Sequence, residues 1–202
     1  MLKIVLASNN KGKLAELRAM FAPLGLELVS QADLGIPEAP EPHCTFVENA
    51  LAKARHAAQL SGLPALADDA GLCVDAFGGL PGVDTAHYAV QFGLEKGDSN
   101  NVKALLAQMA HIDQRRAALV STLVAVRSPH DPEPLIAVGR VSGDIAREPL
   151  GSNGFGFDPV MWLPALGKTF AQLPAEVKNV HSHRGQAART MLALMRERWL
   201  PA

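Results

Sequence analysis

The sequence has few cysteines, no concentrated charge of one sign and no long apolar run, and each shortage excludes a class of protein. Two cysteines, Cys44 and Cys73, are too few for a disulfide framework or a zinc site. Lysine and arginine number 19 against 20 aspartates and glutamates, and no basic patch is interleaved with aromatic residues. No apolar stretch is long enough to cross a bilayer. We therefore expect neither nucleic acid nor a membrane as a partner.

The composition is that of an ordinary folded protein, with 48% apolar and 19% charged residues. A chain of 202 residues can bury a large core, and we expect one domain over residues 1–202. The apolar run at residues 1–7 is too short for a signal peptide, so we expect the protein to stay in the cytoplasm.

Strand-like and helix-like segments alternate, which predicts an α/β fold. An apolar strand at residues 3–7 precedes Leu14, Leu17 and Phe21, which recur at helical spacing. Prolines and acids make residues 35–43 a loop. The remaining predicted elements are a helix over 45–60 with a Thr45/Glu48 capping box, strands at 64–67 and 72–76, a helix from Ser99, strands at 117–126 and 135–143, and a helix from Gly185.

A polar loop between the first strand and the first helix is a candidate anion site. It consists of Ser8, Asn9, Asn10, Lys11, Gly12 and Lys13. Free backbone amides and the helix dipole attract an anion at such a place, and two lysines strengthen the attraction. Its glycine spacing is not that of a Walker loop, and taken alone the segment also fits a polar turn with a good N-cap.

Two adjacent carboxylates, Asp68 and Asp69, are predicted at the end of an apolar strand. Side chains alternate along a strand, so the two would point in different directions. One could hold Mg²⁺ or its bound water while the other braces a lysine or a backbone amide. The alternative is a solvated acidic turn.

Two later segments carry groups suited to a nucleotide base. In the glycine-rich turn Gly154–Pro159, Phe155 could stack on a base. Lys178, His183 and Arg184 come just before the last helix and offer hydrogen-bond donors to a base carbonyl or a phosphate. The histidine could instead simply cap that helix.

Six motifs, in chain order, together resemble the inosine/xanthosine triphosphate pyrophosphatases, the Ham1-like family. The motifs are residues 8–13 with Glu16, 45–50 with Lys53, 68–72, 78–82, 154–159 and 182–185, and they span nearly the whole chain. The resemblance implies an elongated two-lobed α/β fold around a long central mixed sheet with flanking helices, a nucleotide cleft between the lobes, and a homodimer.

The resemblance also implies roles for individual residues. Asp69 would be the catalytic base and a magnesium ligand, with Glu41 as a second ligand. Ala70 stands where many relatives have serine, so only its backbone could contact substrate. The implied substrate-binding residues are Ser8, Asn9, Asn10, Lys11, Gly12, Lys13, Lys53, Ala70, Phe155, Gly156, Phe157, Asp158, Lys178, His183 and Arg184.

The implied reaction is Mg²⁺-dependent hydrolysis of ITP, dITP and XTP to the monophosphate and pyrophosphate. Lys13, Lys53 and Mg²⁺ would neutralise the triphosphate, and His183 and Arg184 would donate to the 6-oxo group of the purine. Two alternatives remain at this point. One is a Maf-like pyrophosphatase acting on pyrimidine triphosphates, and the other is a nucleotide sensor that binds without hydrolysis.

Overall fold

Within the described part of the chain, seven strands form one mixed sheet. The computed structural model describes residues 2–200, so residues 1, 201 and 202 of the predicted domain lie outside it. The strands are β1 (Lys3–Leu6), β2 (Glu27–Ser30), β3 (Ala65–Val74), β4 (Arg116–Val126), β5 (Leu135–Ile145), β6 (Met161–Leu163) and β7 (Lys168–Thr169). Their order across the sheet is β2-β1-β3-β4-β5-β6-β7. β1 pairs in parallel with β2 and β3, and β6 pairs antiparallel with β5 and β7.

In the residues that the structure describes, five α-helices connect or flank these strands. They are α1 (Lys11–Phe21), α2 (Phe46–Ser61), α3 (Asp98–Gln108), α4 (Ala175–His181) and α5 (His183–Arg198). Short 3₁₀ helices include Ala22–Leu24 and the longer Gly82–Phe92. None of the helices in residues 2–200 has the length and apolarity needed to span a membrane. The predicted α/β class, with a mixed open sheet and flanking helices, is confirmed.

Local signals explain where α2 begins and ends. Thr45 accepts a hydrogen bond from the Glu48 amide at 3.3 Å, and its own hydroxyl donates to the Glu48 carboxylate. Gly62 closes the helix with φ of 68°, a left-handed conformation that glycine adopts without strain. The predicted helix boundaries here are therefore confirmed within a residue or two.

The chain divides into two compact units, each made of separate segments. The first comprises Met1–Asp69, Ser121–Gly139 and Arg184–Ala202, and the second comprises Ala70–Val120 and Arg140–His183. Strands β3, β4 and β5 contribute residues to both. The assignment of residues 1–202 to one domain stays a prediction, as does the nucleotide cleft.

The first unit buries both faces of its part of the sheet. Ile4 and Leu6 of β1 pack in a cluster with residues of α1 and α5, while Val5 and Ala7 pack with the alanines of α2. This alternation follows the two-residue period of a strand, so a fully apolar strand signals cover on both faces. The resulting core fixes the ends of β1 and α1, where the polar loop lies.

The second unit has its own core. Buried residues of α3 and of the Gly82–Phe92 helix pack there with Phe157 and Phe170. The clustered side chains are mainly aliphatic, and Leu105, Met109 and Phe170 are fully buried. This packing supports the glycine-rich turn at residues 151–156, which contains no regular helix or strand.

One strand prediction was wrong. The sequence suggested separate strands at 64–67 and 72–76, but β3 runs without a break from Ala65 to Val74. Asp68 and Asp69 therefore lie in the middle of a strand and are buried. The polar pair does not end the strand because each carboxylate pairs with a charged group from another element. The short elements β6, β7 and α4 were also not predicted.

Candidate active site

The polar loop after β1 forms the N-terminal cap of α1. Asn10 is the N-cap, and its side-chain oxygen accepts a hydrogen bond from the Lys13 amide at 3.0 Å. The Ser8 hydroxyl accepts one from the Asn10 amide at 3.2 Å. Lys11 and Lys13 thus lie in the first turn of a helix that has no acidic residue there. Exposed amides, the helix dipole and two cations make this turn suited to an anion.

Asp68 lies at the centre of a buried ion-pair cluster in the first unit. One of its oxygens is 3.0 Å from Lys13 Nζ and 3.1 Å from the Arg184 guanidinium. The other oxygen accepts a hydrogen bond from Ser121 Oγ at 2.6 Å. Burial would raise the pKa of Asp68, but Arg184 and Lys13 outweigh it and hold that pKa far below its usual range. Asp68 is therefore a permanent anion with no capacity to exchange protons near neutral pH.

Asp69 has a different environment from its neighbour. Its Oδ1 is 2.8 Å from Lys53 Nζ, which is also 2.8 Å from Glu41 Oε2. Burial raises the pKa of Asp69 to about 6, although Lys53 opposes the rise. Burial also acts to raise the pKa of Glu41, but Lys53 outweighs this effect and the pKa of Glu41 falls below its ordinary value. A carboxylate that titrates near neutrality can accept a proton from water, so Asp69 has the properties of a general base.

Glu41 and Asp69 provide a donor set that fits a hard divalent cation. Asp69 Oδ2 is buried and has no hydrogen-bond partner among residues 2–200. The same residues include no group of three or more histidines, cysteines or carboxylates that could hold a metal ion. Mg²⁺ does not need such a cage, since one or two carboxylates commonly hold it together with water and substrate phosphates. The two carboxylates therefore fit Mg²⁺ better than zinc.

The loop that carries Glu41 is held in place by α2. The buried Asn49 side chain accepts a hydrogen bond from the His43 amide at 3.0 Å and donates one to the His43 carbonyl at 3.1 Å. A ring nitrogen of His56 lies 3.0 Å from the Pro37 carbonyl. The motif containing Asn49 was recognised in the sequence, but its part in holding this loop was not. A buried asparagine on an apolar helix face was the available signal.

A second group of predicted residues comes together in the second unit. Asp158 Oδ2 accepts hydrogen bonds from the Phe155 amide at 2.8 Å and from Lys178 Nζ at 2.5 Å. Lys178 Nζ also lies 4.6 Å from the centroid of the Phe155 ring. The Gly156 amide donates to Asp98 at 2.8 Å. These contacts fix the turn and leave the Phe155 ring partly exposed.

Gly154 shows how closely the turn approaches Asp158. Its φ is 76°, and a Cβ there would lie 2.0 Å from Asp158 Oδ2. Phe157, predicted to line the base pocket, packs its side chain in the core of the second unit, and its place in a base pocket stays a prediction. His183 is buried, with its ring 6.4 Å from that of Phe170 in an edge-to-face arrangement.

The Arg184 guanidinium makes two ion pairs. Its side chain is buried and pairs with Asp68 and Glu16 in the first unit, whereas the preceding His183 belongs to the second. In the structure two carboxylates engage this guanidinium, and its contact with a purine base stays a prediction. Besides the part played by Asn49, the sequence analysis also missed Ser121, which donates a hydrogen bond to Asp68.

Comparison with known proteins gives a consistent assignment. The model of the Ham1 family matches residues 4–194. A dITP/XTP pyrophosphatase from Albidiferax ferrireducens is 79% identical, over 98% of this chain and 100% of its own length. One from Leptothrix cholodnii is 56% identical, over 98% and 99%.

Solved structures agree with these relatives. A HAM1 protein from Coxiella burnetii is 41% identical and superposes with a TM-score of 0.89, covering 98% of this chain and 100% of that one. The Ham1 protein of Staphylococcus aureus is 36% identical, with a TM-score of 0.84 and coverage of 96% and 98%. Both likenesses extend over almost the whole of each chain.

Proposed function

The chain belongs to the Ham1 family and is a nucleoside triphosphate pyrophosphatase, and from that premise we propose that it removes noncanonical purine nucleotides. The substrates are ITP, dITP and XTP, and the products are the monophosphate and pyrophosphate. The names of the relatives support dITP and XTP. The observation that carries the proposal is the neighbouring pair of aspartates, Asp68 paired with Lys13 and Arg184, and Asp69 paired with Lys53 and buried with Oδ2 unpartnered among residues 2–200.

The reaction begins when Asp69 accepts a proton from a water molecule. The water oxygen bonds to the α-phosphorus, the bond from that phosphorus to the bridging oxygen of the β-phosphate breaks, and pyrophosphate leaves with the bonding electrons. Asp69 fits the role because its pKa lies near the working pH, where a base is both deprotonated and able to take a proton. Burial of the carboxylate also limits its competing hydration.

The triphosphate would bind at the N-terminal turn of α1. Asn10 caps this turn, and the Ser8–Lys13 segment presents amides and two ammonium groups. Lys13 and Lys53 are the cations placed to neutralise charge as pyrophosphate leaves. Each is already paired with a carboxylate, Lys13 with Asp68 and Lys53 with Asp69. That pairing keeps each ammonium group in a defined position.

Mg²⁺ is the cofactor that Glu41 and Asp69 would hold, because both are carboxylates and Asp69 Oδ2 is buried without a partner among the described residues. When bound, the metal would offset the negative charge of the phosphates. Metal binding is testable without turnover, by titrating the protein with Mn²⁺ as a spectroscopic probe.

Recognition of the base is assigned to the Phe155 turn. The partly exposed ring can stack on a purine, while Asp158 and Lys178 hold the turn. Gly156, Phe157 and Ala70 are proposed to contribute backbone contacts. His183 is the proposed donor to the 6-oxo group, a contact that adenine could not accept because it carries an amino group there.

Pyrophosphate release from a panel of nucleotides tests this function. The panel contains ITP, dITP, XTP, GTP, ATP, dTTP and UTP, each with and without Mg²⁺, and Asp69→Asn protein serves as the control for contaminating activity. We expect Mg²⁺-dependent release from ITP, dITP and XTP at least about a hundredfold faster than from ATP. Preference for dTTP or UTP would indicate a Maf-like enzyme, and tight binding without release would indicate a sensor.

Two further features belong to the proposal. The protein is proposed to act as a homodimer in the cytoplasm, as the family resemblance implies, without nucleic acid as a partner. Light scattering coupled to size-exclusion chromatography measures the assembly directly, and a mass of one chain would contradict the dimer.

A further inference from the structure

The proposed reaction uses Asp69 for proton transfer and metal binding but gives Asp68 neither part, although Asp68 makes more contacts to charged groups. Its side chain is 0% exposed, so neither water nor substrate reaches it. It nevertheless pairs with both Lys13 and Arg184 and accepts a hydrogen bond from Ser121. A carboxylate with this many partners and no access to ligand acts on other residues of the protein.

The cluster continues beyond Asp68 through Arg184. The guanidinium of Arg184 is 2.6 Å from Glu16 Oε2 through Nη1, while its Nε and Nη2 both lie 3.1 Å from Asp68 Oδ2. Two cations therefore face two carboxylates. Among these four side chains Lys13 is the most exposed at 17%, against 13% for Glu16 and 2% for Arg184. Only Lys13 also lies in the first turn of α1.

Burying four charges is a poor way to stabilise a fold. The desolvation of each group offsets most of the Coulomb attraction, and apolar residues of similar size often serve stability as well. What such a cluster provides is fixed geometry. Arg184 approaches one Asp68 oxygen through two nitrogens, and Ser121 holds the other oxygen, so the carboxylate cannot rotate.

The fixed carboxylate in turn determines where the Lys13 ammonium lies. A lysine has a flexible stem and loses considerable rotamer entropy when it is held in one position. Asp68 holds Nζ at 3.0 Å, and the burial that lowers the pKa of Lys13 is opposed by the same carboxylate. Lys13 is thereby oriented before any ligand binds.

We propose that Ser121, Asp68 and Arg184 are positioning residues that hold Lys13 for the phosphate chain of the substrate. Of the three, Ser121 acts least directly, since it contacts Asp68 and Asp68 in turn contacts Lys13. The inference rests on the proposed function, because it needs Lys13 to contact phosphate. It also gives Arg184 a positioning role in phosphate binding, alongside the base contact predicted for it.

Binding of inorganic tripolyphosphate, measured by titration calorimetry, isolates this effect from base recognition and from catalysis. The variants are Ser121→Ala, Lys13→Met and the double variant. We expect Ser121→Ala to weaken binding about five- to tenfold, because the unsatisfied Asp68 oxygen lets the carboxylate turn. In the Lys13→Met background the same substitution should change binding less than about twofold.

Two further variants separate positioning from general damage. Ser121→Thr keeps the hydroxyl and should restore most of the affinity. Thr122→Val, on the next residue of β4 where the side chain points to the other face of the strand, should bind like wild type. Circular dichroism melts establish that each variant is folded at the temperature of the titration.

The outcomes distinguish failure of the proposed phosphate role of Lys13 from failure of the positioning role of Ser121, Asp68 and Arg184. If Lys13→Met leaves tripolyphosphate binding unchanged, the phosphate role of Lys13 fails and the inference fails with it. If Lys13→Met weakens binding but Ser121→Ala has the same effect in wild type and in Lys13→Met, the phosphate role of Lys13 stands and the positioning role of Ser121 is wrong. Failure of Ser121→Thr to restore tripolyphosphate affinity would also overturn the positioning role of Ser121.

Discussion

Replacing Asp69 by asparagine should abolish turnover and at the same time make the metal-free protein more stable. The pKa of Asp69 is about 6 in the folded chain, against about 3.9 for an unfolded chain, and each pKa unit corresponds to about 1.4 kcal/mol. At pH 8 the ionised side chain therefore destabilises the folded state by about 3 kcal/mol. Asparagine has the same shape without the charge, so it removes this cost.

The sign of the pH dependence follows from the raised pKa. A carboxyl group that binds its proton more tightly in the folded state stabilises that state at low pH, and this stabilisation is lost as pH rises from about 4 to about 6. The advantage of Asp69→Asn should thus be near zero at pH 4 and complete by pH 8. For a chain of this length, about 3 kcal/mol corresponds to roughly 6–12 °C in Tm.

Asp68→Asn is the matched control and should have the opposite sign. The pKa of Asp68 is held far below its usual range by Arg184 and Lys13, so its charge stabilises the fold above pH 4. Removing one partner from a buried ion pair costs about 3–5 kcal/mol. Asp68→Asn should therefore lower Tm at pH 8.

The assay is thermal and urea unfolding of both variants and wild type in EDTA at pH 4 and pH 8. A lower Tm for Asp69→Asn at pH 8, or a gain that persists unchanged at pH 4, would refute the assignment of a raised pKa to this carboxylate. Because the prediction for Asp69→Asn does not depend on the control, a poorly folded Asp68→Asn protein leaves it testable.

Three further predictions concern binding and the base-side turn. Lys53→Met should tighten Mn²⁺ binding in the absence of nucleotide at least about tenfold, because the Lys53 ammonium lies 2.8 Å from the carboxylates of both Glu41 and Asp69 and repels a cation there. Electron paramagnetic resonance measures the Mn²⁺ affinity, and an unchanged affinity would contradict this prediction. Phe155→Ala should raise KM for ITP about tenfold while leaving tripolyphosphate binding unchanged, and equal effects on both would exclude stacking. Gly154→Ala should destabilise the protein by about 2–3 kcal/mol because its Cβ would meet Asp158 at 2.0 Å, whereas Gly156→Ala, with open space around it, should lose only about 1 kcal/mol.

Most of the fold could be predicted because the signals were local. The strand at residues 3–7 appeared as β1, and the helix from Thr45 to Gly62 appeared as α2 with both caps. In the first case apolar side chains fill both faces of a strand, and in the second the cap residues make their hydrogen bonds within a few positions of the chain. Such signals need no knowledge of distant elements.

The failure at β3 has the opposite cause. The pair Asp68–Asp69 looked like the end of a strand because unpaired carboxylates are expelled from a sheet interior. Their partners come from far along the chain: Arg184 lies 116 positions from Asp68, and Ser121 lies 53 positions away. Sequence patterning cannot show such pairing, so the strand was divided where the structure continues it.

Adjacency in the sequence does not reveal the separate contacts of Arg184. In the sequence it follows His183, and the two were given one role, but α5 begins at this point and successive side chains of a helix point about 100° apart. His183 is buried beside Phe170, while Arg184 pairs with Glu16 and Asp68. A short motif therefore does not show what each of its residues touches.

The two neighbouring aspartates show why the chemistry depends on the number of partners rather than on residue type. Asp68 faces two cations and a hydroxyl, which leaves no state other than the anion. Asp69 shares its one lysine with Glu41, and its Oδ2 has no hydrogen-bond partner among residues 2–200. Because Asp69 shares Lys53 with Glu41, the attraction to this lysine does not fully offset the cost of burying the Asp69 charge. The pKa of Asp69 therefore rises, while that of Asp68 falls. The same strand can thus hold a fixed counter-ion and a proton acceptor side by side, because its alternation sends the two side chains to different sets of cations.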